Sequence, residues 1–152
     1  MASLIVGGAQ ERRRRAGTEN VPLAAAFAAA VALPRKPEEI AALRDRFESA
    51  LSSAIAITVN GAEAPRLPNT SNVTFDGGDG EGIVIGLDLS GVAVSTGSAC
   101  SSGRIEPSPV LLAMGLTPEE ARATVRFSLS RFTTGEEIDT VVGLVTKVTG
   151  RK

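Results

Sequence analysis

Histidine, tryptophan and tyrosine are absent from this chain, and cysteine occurs once, at position 100. A lone thiol cannot close an internal disulfide. Without histidine there is no Cys/His zinc site, no Ser-His-Asp triad and no Cys-His dyad. Aromatic rings are limited to five phenylalanines, too few for a base-stacking platform. The net charge of −1 lacks the basic excess of a nucleic-acid binder. No apolar run reaches the ~18 residues of a membrane span. The longest, Val21 to Leu33, is mostly alanine and contains Pro22. The opening Met1-Ala2-Ser3-Leu4 has no charged region followed by a long apolar stretch, so the cytoplasm is the expected compartment.

What is present is enough apolar side chain for a core, 43% of 152 residues, with 22% charged. A polar, glycine-containing opening runs from Gly7 to Gly17. Thr18 reads as the N-cap of a helix with Leu23, Phe27 and Val31 on one stripe. Pro34 and Pro37 separate it from a second helix over Glu38 to Ser53, with Ile40, Leu43, Phe47 and Leu51 spaced by three and four. Ala54 to Val59 reads as a strand stopped by Asn60-Gly61. Val73 to Phe75 and Val92 to Ser95 read as short strands around a helix over Glu81 to Leu89. A short helix is expected from Ser108 to Met114. Thr117-Pro118-Glu119-Glu120 and Thr134-Gly135-Glu136-Glu137 both have the form of capping boxes. Between them, Thr124 to Ser130 alternates strictly, with Val125, Phe127 and Leu129 on one face and Arg126, Ser128 and Ser130 on the other. The second box opens a helix whose apolar side is Ile138, Val141, Val142, Val145 and Val148. The pattern predicts an α/β (α+β) sandwich: a small sheet of three to four strands covered by helices on one side.

Few of these residues can carry chemistry. Cys100 sits in Gly97-Ser98-Ala99-Cys100-Ser101-Ser102-Gly103, which offers no apolar face to receive a core residue and so predicts an exposed thiol. With no histidine, a nearby cation, a helix N-terminus or the substrate itself must activate it. Arg126 lies mid-strand beside two serines and reads either as a surface ion-pair partner or as a planar fork for a carboxylate. Arg131 is the weaker alternative. The run Arg12-Arg13-Arg14-Arg15 before Gly17-Thr18 reads either as a solvated basic stretch or as an anion site at a helix N-terminus. Gly77 to Gly82 lacks both a Gly-Lys-Ser/Thr ending and a complete Gly-x-Gly-x-x-Gly, so it reads as a turn.

Three stretches in order carry a family resemblance: Gly-Gly-Ala-Gln-Glu-Arg…Arg-Ala-Gly-Thr-Glu-Asn-Val (7–21), Ser-Thr-Gly-Ser-Ala-Cys-Ser-Ser-Gly…Glu-Pro-Ser (95–108) and Val-Arg-Phe-Ser-Leu-Ser-Arg-Phe-Thr-Thr (125–134). The chain resembles the C-terminal part of cysteine desulfurases, pyridoxal-phosphate enzymes of the class-V aminotransferase group, and within them the long-loop type serving nitrogen fixation and iron–sulfur assembly. The resemblance implies that residues 1–33 are the end of a large cofactor domain plus a linking helix. Residues 34–152 are then the small C-terminal domain of a fold-type I enzyme. It implies that Cys100 attacks the substrate sulfur and becomes a persulfide, and that Arg126 holds the carboxylate of L-cysteine. Thr18 is expected to reach the cofactor phosphate of the partner subunit in a homodimer, and an iron–sulfur scaffold or other sulfur acceptor to receive the product. No metal, nucleic acid or membrane is expected to take part. The family's cofactor lysine lies in a Ser-x-His-Lys setting, which none of Lys36, Lys147 and Lys152 matches. The chain alone is therefore expected to bind no pyridoxal phosphate and to be inactive. Pro109 and Arg13 stand where many relatives carry histidine and glycine. A sulfur-carrier or interaction module, a selenocysteine lyase and a cysteine-independent aminotransferase are the alternative readings.

Overall fold

The computed structural model describes residues 2–33, 36–96 and 106–150. It divides into two compact units, residues 1–35 and 36–152, each taken by itself below.

The first unit contains a four-residue turn of helix, α1 (Gln10–Arg13), with Glu11 and Arg12 in the left-handed region, and the longer α2 (Val21–Ala32). The N-cap of α2 is Asn20 rather than Thr18: the Asn20 side chain accepts from the Leu23 N–H at 3.0 Å. Pro22 in the first turn needs no acceptor, and this places the cap two residues later than the threonine suggested. No residue of α2 is buried, and Leu23, Phe27 and Val31 are 66%, 73% and 55% exposed.

The second unit runs α3 (Pro37–Ala54), β1 (Ile57–Val59), β2 (Thr70–Phe75), α4 (Gly80–Asp88), β3 (Ser95–Thr96), α5 (Pro109–Ala113), α6 (Pro118–Arg122), β4 (Thr124–Ser128) and α7 (Gly135–Val148). The strands form one sheet in the order β1-β2-β4-β3, with every neighbouring pair antiparallel. β4 is thus inserted between β2 and β3, which α4 connects. The expected architecture holds: α3, α4 and α7 cover one face of a four-stranded sheet. Both capping boxes form as read, with Thr117 accepting from Glu120 N–H and Thr134 from Glu137 N–H.

The core lies between that sheet face and those helices. Val73, Phe75, Val125, Phe127 and Leu129 come from β2 and the β4 segment. They meet Phe47, Leu51, Ile83, Leu87, Ile138 and Val145 from the helices. Each such side chain withdrawn from water stabilises the fold by roughly 1.5–3 kcal/mol. The Phe47 and Phe127 rings meet at 4.8 Å between centroids, tilted by 49°. The N-terminus of α4 approaches the start of β4 so closely that a Cβ on Gly80 would run into the Arg122 carbonyl oxygen. That contact requires glycine.

Strand boundaries differ from the sequence reading in four places, the first being β4, which ends at Ser128 rather than Ser130. β2 begins at Thr70 rather than Val73, because Thr70-Ser71-Asn72 pair with β4 although none is apolar. β1 is shorter than expected because α3 runs on to Ala54 and Ile55 is its C-cap. Within the described residues β3 is Ser95 and Thr96, so pairing with β4 begins at Ser95 rather than Val92. Among the described helices none is long and apolar enough to cross a membrane.

Candidate functional site

The alternation of β4 settles the orientation of its arginine. Val125 and Phe127 point into the core, while Arg126 and Ser128 are exposed on the opposite face. Arg126 has Asn72 of β2 directly across on one side and Ser95 of β3 on the other. Opposed residues share a face. One row across the sheet therefore reads Asn60, Asn72, Arg126, Ser95, since the Asn60 N–H continues the β1–β2 ladder to the Asn72 carbonyl at 2.8 Å. The guanidinium has no ion-pair or hydrogen-bond partner among the described residues. Of the two readings of Arg126, the surface ion pair does not form among the described residues. Five donors in a planar fork are left facing outward.

In the next row Thr74 and Thr124 are polar and buried, and Asn60 ties them to the first. Asn60 Nδ2 donates to Asn72 Oδ1 at 2.8 Å and to Thr74 Oγ1 at 2.9 Å. Thr74 Oγ1 lies 2.9 Å from Thr124 Oγ1, and the Thr124 hydroxyl donates to the Glu120 carbonyl at 2.8 Å. Neither asparagine stands out in the sequence: Asn60 reads as half of a turn dipeptide, and Asn72 precedes the first apolar residue of its strand. Asn72 does sit one position before Val73, in phase with Thr74 and opposite in phase to the core side chains. That alternation was the available signal.

Beneath the segment leading into β2 lies a charged cluster on the helix side. Glu48 of α3 receives both terminal nitrogens of Arg66, at 2.6 and 2.7 Å, and Arg44 donates to the Leu67 carbonyl at 2.9 Å. Burial pushes the Glu48 carboxyl up. The Arg66 hydrogen bonds outweigh it, together with the nearby Arg66 and Arg44 charges, and hold it below its ordinary value. The buried Ser71 hydroxyl acts in the same direction although it completes no hydrogen bond of good geometry. These contacts tie the 61–69 connection to α3 just ahead of β2.

The remaining sequence candidates fall elsewhere. Cys100 and its Gly97–Gly103 motif lie outside the described residues; Thr96, the last described residue before them, is paired with Val125. Arg131 lies past β4 with its guanidinium 5.9 Å from the centre of the Phe132 ring. Thr18 belongs to the first unit and is exposed, and its hydroxyl has no hydrogen-bond partner among the described residues. The free N–H groups that an anion site at the start of α2 requires are not there. Val21 N–H is bonded to the Glu19 carbonyl, Pro22 has none, and Leu23 N–H is capped by Asn20. Arg15 is also turned inward, onto the Ala16, Gly17 and Thr18 carbonyls. For a phosphate, the first unit therefore offers the Thr18 hydroxyl rather than a backbone cradle. A cleft of about 560 Å³ bordered by Phe47, Val92, Val94, Phe127 and Val141 opens on the core side of β4, away from Arg126.

The aminotransferase class-V family profile matches residues 5–141. Over 97% of its length the chain is 48% identical to cysteine desulfurase 2 of Trichormus variabilis, of which it covers 38%. It is 46% identical to the cysteine desulfurase NifS of Azotobacter vinelandii, with 91% of this chain and 36% of that protein covered. Among solved structures, the NifS-like protein of Rickettsia africae superposes with a TM-score of 0.80 at 32% identity, over 97% of this chain and 39% of that one. The chain thus spans less than two fifths of the length of these relatives.

Proposed function

The chain belongs to the aminotransferase class-V family, and from that premise we propose that it is the C-terminal part of a cysteine desulfurase. The observation that carries the reading is Arg126: a guanidinium fixed mid-strand, exposed, and without an acceptor among the described residues. Such a fork is built to take a carboxylate through two parallel N–H···O bonds. In this reading it orients L-cysteine by its carboxylate, so that the substrate sulfur is presented to Cys100.

Cys100 is the nucleophile. Its thiolate forms a bond to the substrate sulfur while the carbon–sulfur bond of cysteine breaks, the electron pair staying on the carbon, which takes up a proton. L-alanine leaves, and Cys100 keeps the extra sulfur as a persulfide. Reach supports this assignment. Cys100 follows Thr96 by four residues, a span of at most about 14 Å from a strand paired beside Arg126. A persulfide on such a tether can be passed to an acceptor such as an iron–sulfur scaffold protein.

The intact protein uses pyridoxal phosphate, which when bound supplies an electron sink for the carbon skeleton of the substrate. From this chain, the Thr18 hydroxyl would hold the cofactor phosphate of the partner subunit in a homodimer. None of Lys36, Lys147 and Lys152 stands in the Ser-x-His-Lys setting of the family's cofactor lysine. The chain alone therefore neither holds the cofactor through an imine nor turns over cysteine. The cytoplasm is the compartment we propose for the intact protein.

The test is Cys100→Ala in a full-length protein carrying this segment. Sulfide release from L-cysteine should fall to background while the cofactor absorbance is retained. Unchanged sulfide release in that variant sinks the assignment.

A further inference from the structure

We propose that the side-chain amide of Asn72 is a second carboxylate donor beside Arg126, held in its productive orientation by a one-way hydrogen-bond chain ending at the Glu120 carbonyl. The proposal rests on the reading of Arg126 as the substrate-carboxylate fork and adds to it one contact residue and three positioning residues.

Counting protons fixes the direction. The Glu120 carbonyl oxygen can only accept, so the single hydroxyl proton of Thr124 is committed to it at 2.8 Å. Thr124 Oγ1 must then accept from Thr74 across the 2.9 Å contact between them. That commits the proton of Thr74, which in turn must accept, and its partner Asn60 meets it with the amide nitrogen at 2.9 Å. The second proton of the same nitrogen reaches Asn72 at 2.8 Å, so Asn72 turns its carbonyl oxygen toward Asn60. Its NH2 group is left on the other side. In the row across the sheet that side belongs to Arg126, the register partner of Asn72 on β4.

Arg126 has no acceptor to offer, and among the described residues the Asn72 NH2 has none either. Two adjacent side chains on one open sheet face thus present donors only. That is what a carboxylate needs and what water or a cation does not select. Thr74 and Thr124 are 4% and 0% exposed, so solvent cannot break into the chain and reverse it. A buried chain of hydroxyls is costly unless every member is satisfied, and here each is.

The experiment uses the 15.6 kDa chain itself, labelled with nitrogen-15, and L-alanine as a thiol-free carboxylate probe. L-alaninamide, which lacks the carboxylate, is the control. The Asn72 Nδ2 and Arg126 Nε signals should move together along one saturating curve with L-alanine and stay still with L-alaninamide. Asn72→Leu should weaken binding about tenfold while Arg126 Nε still responds, the loss expected for one hydrogen bond to a charged group. Asn60→Asp puts an acceptor where the donor was and turns the Asn72 amide over, so it should weaken binding as much. Asn60→Leu only frees the amide to rotate, without adding charge, and should cost about twofold. A purely structural role would lower stability in all three and leave the affinity of the folded protein unchanged. An Arg126 Nε signal that moves without Asn72 Nδ2, or an Asn72→Leu chain of unchanged affinity, overturns the proposal and leaves Arg126 as the fork. Silence from both signals removes the fork as well.

Discussion

Helices α2 and α7 are both built around apolar side chains three and four residues apart, yet only α7 buries any. In α7, Ile138 and Val145 are in the core, while Glu136, Glu137, Asp139 and Lys147 occupy the outer side. In α2, Leu23, Phe27 and Val31 stand among alanines with no charge anywhere along the helix, and every residue is at the surface. A helix with one charged face has a preferred way to lie on a sheet. A helix that is apolar all round has no side for water and is stable only when surrounded. Within the 36–152 unit α7 is covered, while within the 1–35 unit nothing covers α2. An apolar pattern therefore marks where burial is needed, and the charges opposite it decide whether a single sheet can supply it.

Three measurements can break or sharpen this contrast. The largest effect is expected from paired truncations followed by urea unfolding of the 36–152 unit. Phe47→Ala, which empties the centre of the core, should cost about 3–5 kcal/mol, against less than about 0.5 kcal/mol for Phe27→Ala in α2. Equal losses would break the contrast between the two helices. Next comes the Glu48–Arg66 pair. Removing the charge with Glu48→Gln should cost about 2 kcal/mol near neutrality. The folded carboxyl titrates below its ordinary value of 4.5. Its contribution is therefore complete above that value and is lost as pH falls through the lower folded one. The pH dependence of the melting temperature below about 4.5 should flatten in Glu48→Gln; an unchanged acid limb would show that the pair does not anchor the 61–69 connection. The smallest effect compares caps. Thr134→Ala should lower the stability of the 36–152 unit by about 1 kcal/mol, and Asn20→Ala should leave it unchanged, as read by the same unfolding curves.

Much of the second unit was legible because its signals are local. The two capping boxes need only a hydroxyl and a carboxylate three residues apart. The β4 segment needs only strict alternation, so the outward direction of Arg126 could be read before any fold was known. The start of β2 could not, because Thr70, Ser71 and Asn72 are polar and pair with β4 for reasons that lie in β4. Ser71 is wholly buried although its side chain is polar, and no local pattern announces that. At α2 the local signal was ambiguous: Thr18 and Asn20 are both good caps, and the chain's entry at Pro22 chose between them. The row of Asn60, Asn72 and Arg126 joins residues more than sixty positions apart along the chain, beyond the reach of any short motif. Resemblance supplied the chemistry of Cys100, and geometry supplied a setting for Arg126.

The alternation of β4 also bears on how the sheet assembles. Because side chains change face with every residue, sliding β4 by one position against β2 would carry Arg126 under α3 and α7 and turn Val125 and Phe127 out to water. An unpaired guanidinium in that core would cost several kcal/mol, more than the slipped pairing could return. Glycine or serine at position 126 would carry no such penalty. The residue read as the grip on substrate therefore also proofreads strand alignment while the chain folds.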